Sequence, residues 1–401
     1  MKAGYLSEFF AGVGLKTLST VEADPARSNQ HEYNGNKDLI RLFGRTAEKK
    51  VLLATFIYLA DNDDVPLAET ASVTWYDARA NHPTRSEYRL YFPTSQVSLR
   101  AAEGDLLVIA RRQDESVLMI LAQGGSTIAS QIEWLFSAMP LPLGFSVREE
   151  LETERDRVGF ASAFILEQLG IIVEWTEIAY LDAMLEKFGG SFPSTREFSA
   201  YARATLPEMN AHDDPDLALM AWMEREEILF RTLEKHFLTE RLERGFAGDV
   251  DGFLRYSLSV QNRRKSRVGL ALENHMETVL SQNAIRYGRT VATEGKTKPD
   301  FLFPGAAEYR NPQFDSSLLT MLGVKSTCKD RWRQVLAEAK RIGEKHLLTL
   351  EAAISRDQTN EMREHRVQLV VPRKIQATYS PEQTGMLFDV TSFVQLVRER
   401  Q

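Results

Sequence analysis

The 401-residue chain contains a single cysteine, Cys328. One cysteine cannot form an intramolecular disulfide, and it cannot supply a cysteine-rich zinc site. The sequence has no apolar run long enough to span a membrane and no apolar N-terminal signal segment with a cleavage site. We therefore expect a soluble cytoplasmic protein with no membrane partner.

The chain also lacks an overall excess of positive charge, since its formal net charge is −7. Net charge is an average, whereas phosphate binding depends on local clusters. Residues 205–251 carry twelve acidic and five basic side chains, but residues 261–300 carry eight basic and four acidic ones. Residues 321–350 carry seven basic and three acidic side chains. Because the charge is segregated, the acidic total does not exclude DNA as a partner.

The length predicts two domains, and the first 140 residues are predicted to be mostly β. Short runs of alternating, β-branched or aromatic residues predict strands, and their spacing favours a barrel or sandwich. These runs lie at 51–59, 72–76, 88–92, 105–110 and 116–121, with a closing helix expected over 128–136. Two prolines and a glycine within 139–144 break the pattern and mark the expected domain boundary.

Residues 141–175 are interpreted as a hinge and linker that includes a helix around 160–169, and residues 176–401 as the second domain. Within that domain, helices interleave with strands, which predicts an α/β core with a mixed sheet flanked by helices. The expected helices begin near 195 and 215 or cover 266–280 and 330–345; the expected strands cover 301–303, 318–324, 346–350 and 367–371.

Two charged residues stand next to strands of this second domain. Asp300 begins the apolar run 301–303, and Lys325 ends the apolar run 318–324. At one sheet edge, the aspartate would hold Mg²⁺, which prefers oxygen ligands, and the lysine would orient the attacking water. Glu338 would complete such a site. On the pattern alone, ordinary strand-end charges are the better interpretation.

The helix expected over 330–345 changes this balance. Lys329, Arg331 and Arg333 crowd its first turns, where cations oppose the helix dipole by ~0.3–1 kcal/mol each. DNA phosphates or guanine edges would compensate for that cost. The same helix would carry Arg331 and Glu338 on one face, and the alternative is a solvated basic helix.

A second basic run precedes the helix expected to bear Glu273. The run is formed by Arg263, Arg264, Lys265 and Arg267. It is interpreted either as a set of contacts to DNA phosphates or as an ordinary solvated charge run. Glu273 is either a further acidic residue of the metal site or an exposed helix carboxylate.

Three stretches of the sequence resemble the EcoRII-like type II restriction endonucleases, members of the PD-(D/E)XK nuclease superfamily. They are SVQNRRKSR at 259–267, EGKTKPDFLFP at 294–304 and MLGVKSTCKDRWRQVL at 321–336, with weaker similarity over 192–246. The resemblance implies an α/β nuclease that cleaves double-stranded DNA with Mg²⁺ as a homodimer.

The resemblance also implies a role for individual residues. Asp300 corresponds to the metal-binding aspartate, Lys325 to the catalytic lysine, Glu338 to the second metal-binding carboxylate and Glu273 to an upstream acidic residue. The residues implied in DNA recognition are Lys329, Asp330 and Arg331 for base reading and Arg225 near a flipped central base. Gly323 stands where the wider superfamily has an acidic residue, a departure that EcoRII-like enzymes share.

The N-terminal part is similar to the EcoRII effector-binding domain, a DNA-binding β-pseudobarrel. Residues 75–79 and 84–89 match strand residues of that domain, and 16–19 and 28–32 match its first arm. The resemblance implies that the domain binds a second DNA copy. The implied contact residues are Arg79, Arg85, Glu87 and Arg89. The alternative is an exposed strand ladder of alternating charges.

The resulting hypothesis is a type IIE restriction endonuclease acting at a CCWGG- or CCNGG-like site. A cognate DNA methyltransferase would belong to the same restriction–modification system. The alternatives are a related nuclease with different or methylation-dependent specificity, and a non-catalytic DNA-binding regulator that keeps the fold.

Overall fold

The computed structural model describes residues 1–401 except 24–30, 64–65, 83, 139, 142–143, 174–177 and 329–330. The described chain divides into two compact units. Unit 1 comprises Met1–Ile172 and Ala353–Gln358, and unit 2 comprises Val173–Ala352 and Thr359–Gln401.

Unit 1 is built on an eight-stranded mixed sheet, as the short alternating runs predicted. Its strands are β1 (Phe10–Thr17), β2 (Glu32–Gly35), β3 (Lys50–Leu59), β4 (Leu67–Asp77), β5 (Tyr88–Tyr91), β6 (Leu106–Arg112), β7 (Val117–Ala122) and β8 (Ser146–Arg148). The order is β2-β5-β4-β3-β7-β6-β1-β8, and β3 with β7 is the parallel pair. The two ends of the sheet approach each other, because the ring centroids of Tyr33 and Phe145 lie 6.3 Å apart. Closure into a pseudobarrel remains a prediction.

Trp75 lies at the centre of one aromatic cluster in this sheet. It is fully buried, stacks on Tyr88 at 5.1 Å and donates its indole N–H to the carbonyl of Gly44 at 2.9 Å. Gly35 pairs with Tyr88, and a β-carbon at Gly35 would lie 2.5 Å from the Trp75 ring. Only glycine therefore lets β2 approach the tryptophan.

The helices of unit 1 are short. They are α1 (Thr20–Ala23), α2 (Lys37–Phe43), α3 (Thr127–Phe136) and α4 (Phe160–Gln168). The helix expected over 128–136 is confirmed as α3, whose N-cap Ser126 accepts from the N–H of Ala129. Residues 141–172 contribute β8, which pairs with β1, and α4 to unit 1.

Unit 2 contains a five-stranded mixed sheet, which confirms the α/β prediction. Its strands are β9 (Gly288–Arg289), β10 (Phe301–Phe303), β11 (Thr320–Lys325), β12 (Lys345–Thr349) and β13 (Val367–Val370). The order is β13-β12-β11-β10-β9, with β11, β12 and β13 parallel and the other pairs antiparallel. The strands β10 and β12 are buried along their whole length, as expected of strands with both faces covered.

Helices flank this sheet and precede it. They are α5 (Leu181–Phe188), α6 (Thr195–Ala204), α7 (Pro215–Arg244), α8 (Val250–Gln282), α9 (Ala306–Arg310), α10 (Trp332–Val335), α11 (Arg356–Glu364), α12 (Arg373–Gln376), α13 (Pro381–Thr384) and α14 (Val390–Glu399). Asp214 and Asp249 cap α7 and α8 by accepting from main-chain N–H groups. The helix expected over 266–280 is the second half of α8, so the basic run at 263–267 lies within a helix rather than before one.

The prediction of a helix over 330–345 is wrong for the residues after the first described turn. Helix α10 ends at Val335, and Ala339 adopts a left-handed conformation with φ of 45°. The turn is fixed by the buried Lys345, whose Nζ donates to the carbonyls of Glu338, Ala339 and Ile342 at 2.5, 2.7 and 2.7 Å. A buried cation therefore takes the carbonyls that a continuing helix would have used.

Among the described residues, no helix has the combination of length and apolar character that crossing a membrane requires.

Candidate active site and nucleic-acid interfaces

Asp300, just before β10, and Lys325, at the end of β11, meet where these two neighbouring strands of the five-stranded sheet have their ends, as the sequence predicted. Strands β10 and β11 pair antiparallel with Phe301 opposite Leu322, so Asp300 lies beside the end of β11. Asp300 Oδ2 accepts from the N–H of Val324 at 2.6 Å and from Lys325 Nζ at 3.0 Å. The two side chains are 18% and 22% exposed. The pair is therefore fixed in position but open to solvent on one side.

Glu338 approaches this pair from the turn after α10 rather than from a helix. Burial and then the negative charge of Asp300 raise the pKa of Glu338 to about 7, although Lys325 and Lys345 oppose the shift. Its Oε2 is buried and accepts no hydrogen bond from the described residues. An unpaired carboxylate oxygen beside a second carboxylate is an unfavourable arrangement that a bound cation would relieve.

Glu273 reaches the same region from α8. Burial and then the charge of Asp300 raise the pKa of Glu273, whereas Arg289 and Lys325 lower it. Arg289, on the edge strand β9, donates to Glu273 at 3.1 Å, to Asn274 at 3.1 Å and to Glu277 at 2.6 Å. Arg289 therefore holds one face of α8 against the sheet and orients Glu273.

The carboxylate oxygens of this region are of the type that binds a divalent cation. As folded, no group of three or more acidic, histidine or cysteine side chains that could hold a metal ion is present among the described residues. However, Asp300 raises the pKa of both Glu338 and Glu273, and Glu338 Oε2 has no donor in the described part of the chain. Asp300 and the two glutamates that it repels carry the oxygen ligands that Mg²⁺ prefers. Lys325 partly neutralises them through Asp300.

Gly323 shows why a carboxylate is missing from β11. A β-carbon at Gly323 would lie 3.0 Å from Val335 Cγ2 and 3.5 Å from Leu347 Cδ1. A longer side chain at this position would meet α10, which covers the strand. A second acidic group near Asp300 therefore has to come from another element, and Glu338 in the turn after α10 is the residue predicted for that position.

The four residues of the basic run on α8 differ in burial: one is exposed, two are half-buried and one is buried. Lys265 is exposed, and Arg264 donates to Glu234 at 2.8 Å. Arg263 is half-buried against Phe192, with its guanidinium 4.3 Å from the ring centroid. Arg267 is 5% exposed and ion-paired with Glu227. As folded, only Lys265 of the four lies fully on the surface.

Residues 230–394 match the family described as EcoRII C terminal. The matched part of the chain, here the EcoRII C-terminal segment, contains Asp300, Lys325, Glu338 and Glu273 together with the basic run on α8.

Over 204 residues the chain is 41% identical to the type II restriction enzyme EcoRII of Escherichia coli. The aligned part is 51% of this chain and 50% of that enzyme, so the chain spans about half the length of the curated relative it matches. Among solved structures, it is similar to metal-depleted Ecl18kI in complex with uncleaved, modified DNA, at 19% identity and a TM-score of 0.46 over 55% of this chain and 83% of that one. It is also similar to the restriction endonuclease PspGI in a substrate DNA complex, at 17% identity and a TM-score of 0.43 over 52% and 94% of the two chains.

Within the EcoRII C-terminal segment, the expected base-reading residues are only partly described. Lys329 and Asp330 lie outside the described residues, and Arg331 is exposed just before α10. Arg333 forms a salt bridge with Glu361 at 2.7 Å, so this cation has a partner within the protein. Because α10 is only four residues long, its dipole is small, and cations at its start cost less than a long helix over 330–345 would have implied.

Arg225 lies on α7, outside the EcoRII C-terminal segment. Its guanidinium stacks over the ring of Tyr180 at 4.2 Å, and its Nε donates to Thr205 Oγ1 at 2.9 Å. Arg225 thus lies beside an aromatic ring, and its role near a flipped base stays a prediction.

The residues expected to contact effector DNA lie on β5 and in the loop between β4 and β5. Arg89 is paired with Glu32 at 2.7 Å and with Glu87 at 2.6 Å, and Arg79 with Glu87 at 2.5 Å. Arg85 is exposed and forms no ion pair within the described residues. The ladder of alternating charges therefore exists and is largely self-neutralised, which leaves Arg85 as the available cation of the four.

Sequence reasoning missed two residues that shape the site, Arg289 and Lys345. Neither stands in a motif: Arg289 is one cation on a two-residue strand, and Lys345 begins an apolar run. The one available signal was Lys345 itself, because a lysine opening a buried strand requires partners for its ammonium group.

Proposed function

We propose that the protein is an endonuclease that hydrolyses phosphodiester bonds in double-stranded DNA at a specific site. The observation that carries the proposal is the convergence of Asp300, Lys325 and Glu338 in a segment of the EcoRII C-terminal family. A similar convergence would have little purpose in a DNA-binding regulator, since it leaves a buried carboxylate oxygen without a hydrogen-bond donor in the described part of the chain.

Each residue has a distinct proposed role. Asp300 and Glu338 are the groups that would hold Mg²⁺, and Glu273 is a further acidic residue beside them. Lys325 is placed to bind a non-bridging oxygen of the scissile phosphate and to orient the attacking water, because its ammonium group already lies at Asp300. When bound, the metal would supply Lewis-acid polarisation of the phosphate and lower the pKa of a coordinated water.

Cleavage of a mixed-sequence plasmid with and without Mg²⁺ tests this proposal. Asp300→Asn and Lys325→Met are expected to abolish cleavage while binding of duplex DNA survives, since both removals leave the fold intact. Glu364→Gln, at an exposed position at the end of α11, is the matched control and should cleave normally. Cleavage at the normal rate by either active-site variant would overturn the assignment.

Target choice is a finer part of the proposal. We propose a short pseudo-palindromic site with C·G outer pairs, CCWGG- or CCNGG-like, read by Lys329, Asp330 and Arg331 in a homodimer. An acidic side chain can accept from cytosine N4 and basic ones can reach guanine. Sequencing the cut ends would identify the site, and plasmids bearing methylated sites would separate methylation-sensitive from methylation-dependent cleavage.

The proposed type IIE behaviour assigns a second DNA copy to unit 1. Arg85 supports it as an exposed cation beside the Arg79–Glu87–Arg89 ladder. Arg85→Gln should reduce the advantage of two-site over one-site plasmids, whereas Arg155→Gln, also exposed in unit 1, should not. Equal cleavage of one-site and two-site plasmids by the unaltered protein would exclude an effector role.

A further inference from the structure

A cavity of about 630 Å³ lies in unit 2 between the segment 190–198, α7 and α8. None of its lining residues belongs to the candidate active site. Its walls combine aromatic rings, among them Phe192, Phe230 and Tyr256, with four arginines and a single acidic residue, Glu240. The volume is typical of small-molecule sites, and the charge of the walls is positive.

Arg263 faces this cavity with its charge uncompensated. The side chain is half-buried, and its guanidinium stacks 4.3 Å from the centroid of Phe192. Within the described residues it forms no side-chain hydrogen bond and no ion pair. A guanidinium held flat on a ring keeps its in-plane N–H groups available for a bidentate acceptor.

Arg267, one turn further along α8, is a second and more buried donor. It is 5% exposed and stacks 4.1 Å from the centroid of Phe230, and its Nη2 donates to Glu227. Its Nε and Nη1 have no hydrogen-bond partner in the described part of the chain, and Nη1 lies 3.8 Å from Glu226. Arg267 therefore adds a buried, carboxylate-paired cation to the cavity wall, whereas the guanidinium that can reach a ligand directly is that of Arg263.

The arginines and the aromatic walls of the cavity together favour one kind of ligand. A guanidinium group such as that of Arg263 binds a phosphate through parallel N–H donors. The aromatic walls offer stacking surfaces that any nucleobase can use, because every base has a π-face. A purely apolar ligand would leave the arginines unpaired, and an isolated anion would leave the aromatic walls empty.

We propose that this cavity binds a nucleoside 5′-phosphate, with the phosphate on Arg263 and the base against the aromatic wall. The nucleotide is either free or the 5′-phosphorylated terminal residue of a DNA strand, since both present the same chemistry. The site is separate from the proposed nuclease centre and does not depend on nuclease activity.

Calorimetric titration of the full-length protein tests the proposal. The ligands are the four deoxynucleoside 5′-monophosphates, deoxyadenosine, inorganic phosphate and a tetranucleotide with and without a 5′-phosphate. At least one monophosphate or the 5′-phosphorylated tetranucleotide should bind about tenfold or more tightly than deoxyadenosine, phosphate or the unphosphorylated strand. Binding of the tetranucleotide without the monophosphates would assign the DNA end as the source.

Variants then locate the binding. Arg263→Gln should weaken the binding about tenfold or more, because the bidentate donor is lost. Tyr256→Leu should weaken it through the base. Arg255→Gln, 74% exposed on the same helix, should leave it unchanged. The inference is overturned if no phosphorylated ligand binds at millimolar concentration, if phosphate alone binds equally well, or if Arg263→Gln has no effect.

Discussion

Lys345 and Glu338 are linked through the main chain. Lys345 Nζ donates to the carbonyl oxygen of Glu338 at 2.5 Å, and it also donates to the carbonyl oxygens of Ala339 and Ile342. Lys345 is 6% exposed, and burial lowers the pKa of its ammonium group. This contact stops the helix that the sequence pattern favoured and places the Glu338 carboxylate within the electrostatic reach of Asp300.

Replacing Lys345 with methionine should therefore cost both stability and activity. Three buried carbonyls would lose their donor, which should lower the free energy of unfolding by about 3 kcal/mol. The turn bearing Glu338 would relax, so cleavage should fall even at temperatures where the variant is folded. Urea denaturation followed by circular dichroism gives the first quantity, and plasmid cleavage gives the second.

Lys340→Gln is the matched control, because Lys340 is exposed and lies in the same turn. It should retain normal stability and cleavage. A Lys345→Met protein with unchanged stability and full cleavage would show that the turn is held by other contacts.

The pairing of Asp300 with Lys325 follows from local order in the chain. Asp300 precedes one strand and Lys325 ends the next, and antiparallel pairing of such neighbours brings them to the same edge. The strands themselves were predicted from short apolar runs. For this pair, sequence order and sheet geometry allowed the meeting that the 3.0 Å contact shows, but the pattern alone favoured ordinary strand-end charges, and the resemblance to EcoRII-like enzymes decided between the two.

Glu338 was placed in the site but on the wrong element. The apolar spacing of Trp332, Val335, Ala339 and Ile342 is helical, and all four are buried. The chain nevertheless leaves the helix after Val335, because Lys345 captures the carbonyls. A tertiary contact thus overrides local periodicity, and no pattern within the stretch itself reveals it.

The narrow space between Gly323 and Val335 predicts that a carboxylate at position 323 cannot replace Glu338. Glu338→Ala should abolish cleavage, and adding Gly323→Asp should not restore it. A side chain at 323 begins 3.0 Å from Val335 Cγ2, so the new carboxylate would displace α10 instead of entering the metal site. Plasmid cleavage by the single and double variants is the measurement.

Glu338→Gln serves as the control for size in this series, since it keeps the volume and removes the charge. It should be as inactive as Glu338→Ala but as stable as the unaltered protein. Recovery of cleavage in the Gly323→Asp, Glu338→Ala double variant would mean that β11 can accept an acidic group and that packing does not explain its absence.

Arg289 should act as a positioning residue for Glu273. It donates to Glu273, Asn274 and Glu277, and its positive charge lowers the pKa of Glu273. Arg289→Gln should reduce cleavage about 10–100-fold, the usual effect of removing a partner of a metal-site residue. Duplex DNA binding, measured by fluorescence anisotropy without Mg²⁺, should change little. Arg286→Gln, 61% exposed, is the control, and normal cleavage by the Arg289 variant would remove Glu273 from the site.

His346 should give the folded protein a specific sensitivity to acid. It is fully buried in β12, with its ring 5.3 Å from that of Phe393. Burial, followed by the positive charge of Arg400, lowers the pKa of His346 from 6.5 to about 4. Between these pH values the unfolded chain binds a proton that the folded chain excludes. The stability associated with neutral His346 is therefore complete above pH 6.5 and is lost as the pH falls towards 4.

His346→Leu should remove this loss. Between pH 7 and pH 4 the unaltered protein should lose about 3 kcal/mol more stability than the variant, the free energy that corresponds to the shift in pKa. Urea denaturation at several pH values measures both curves. His212→Gln, at a side chain that is 69% exposed, should follow the unaltered protein. If the His346→Leu and unaltered curves remain parallel down to pH 4, the buried imidazole is not the group that makes folding sensitive to acid.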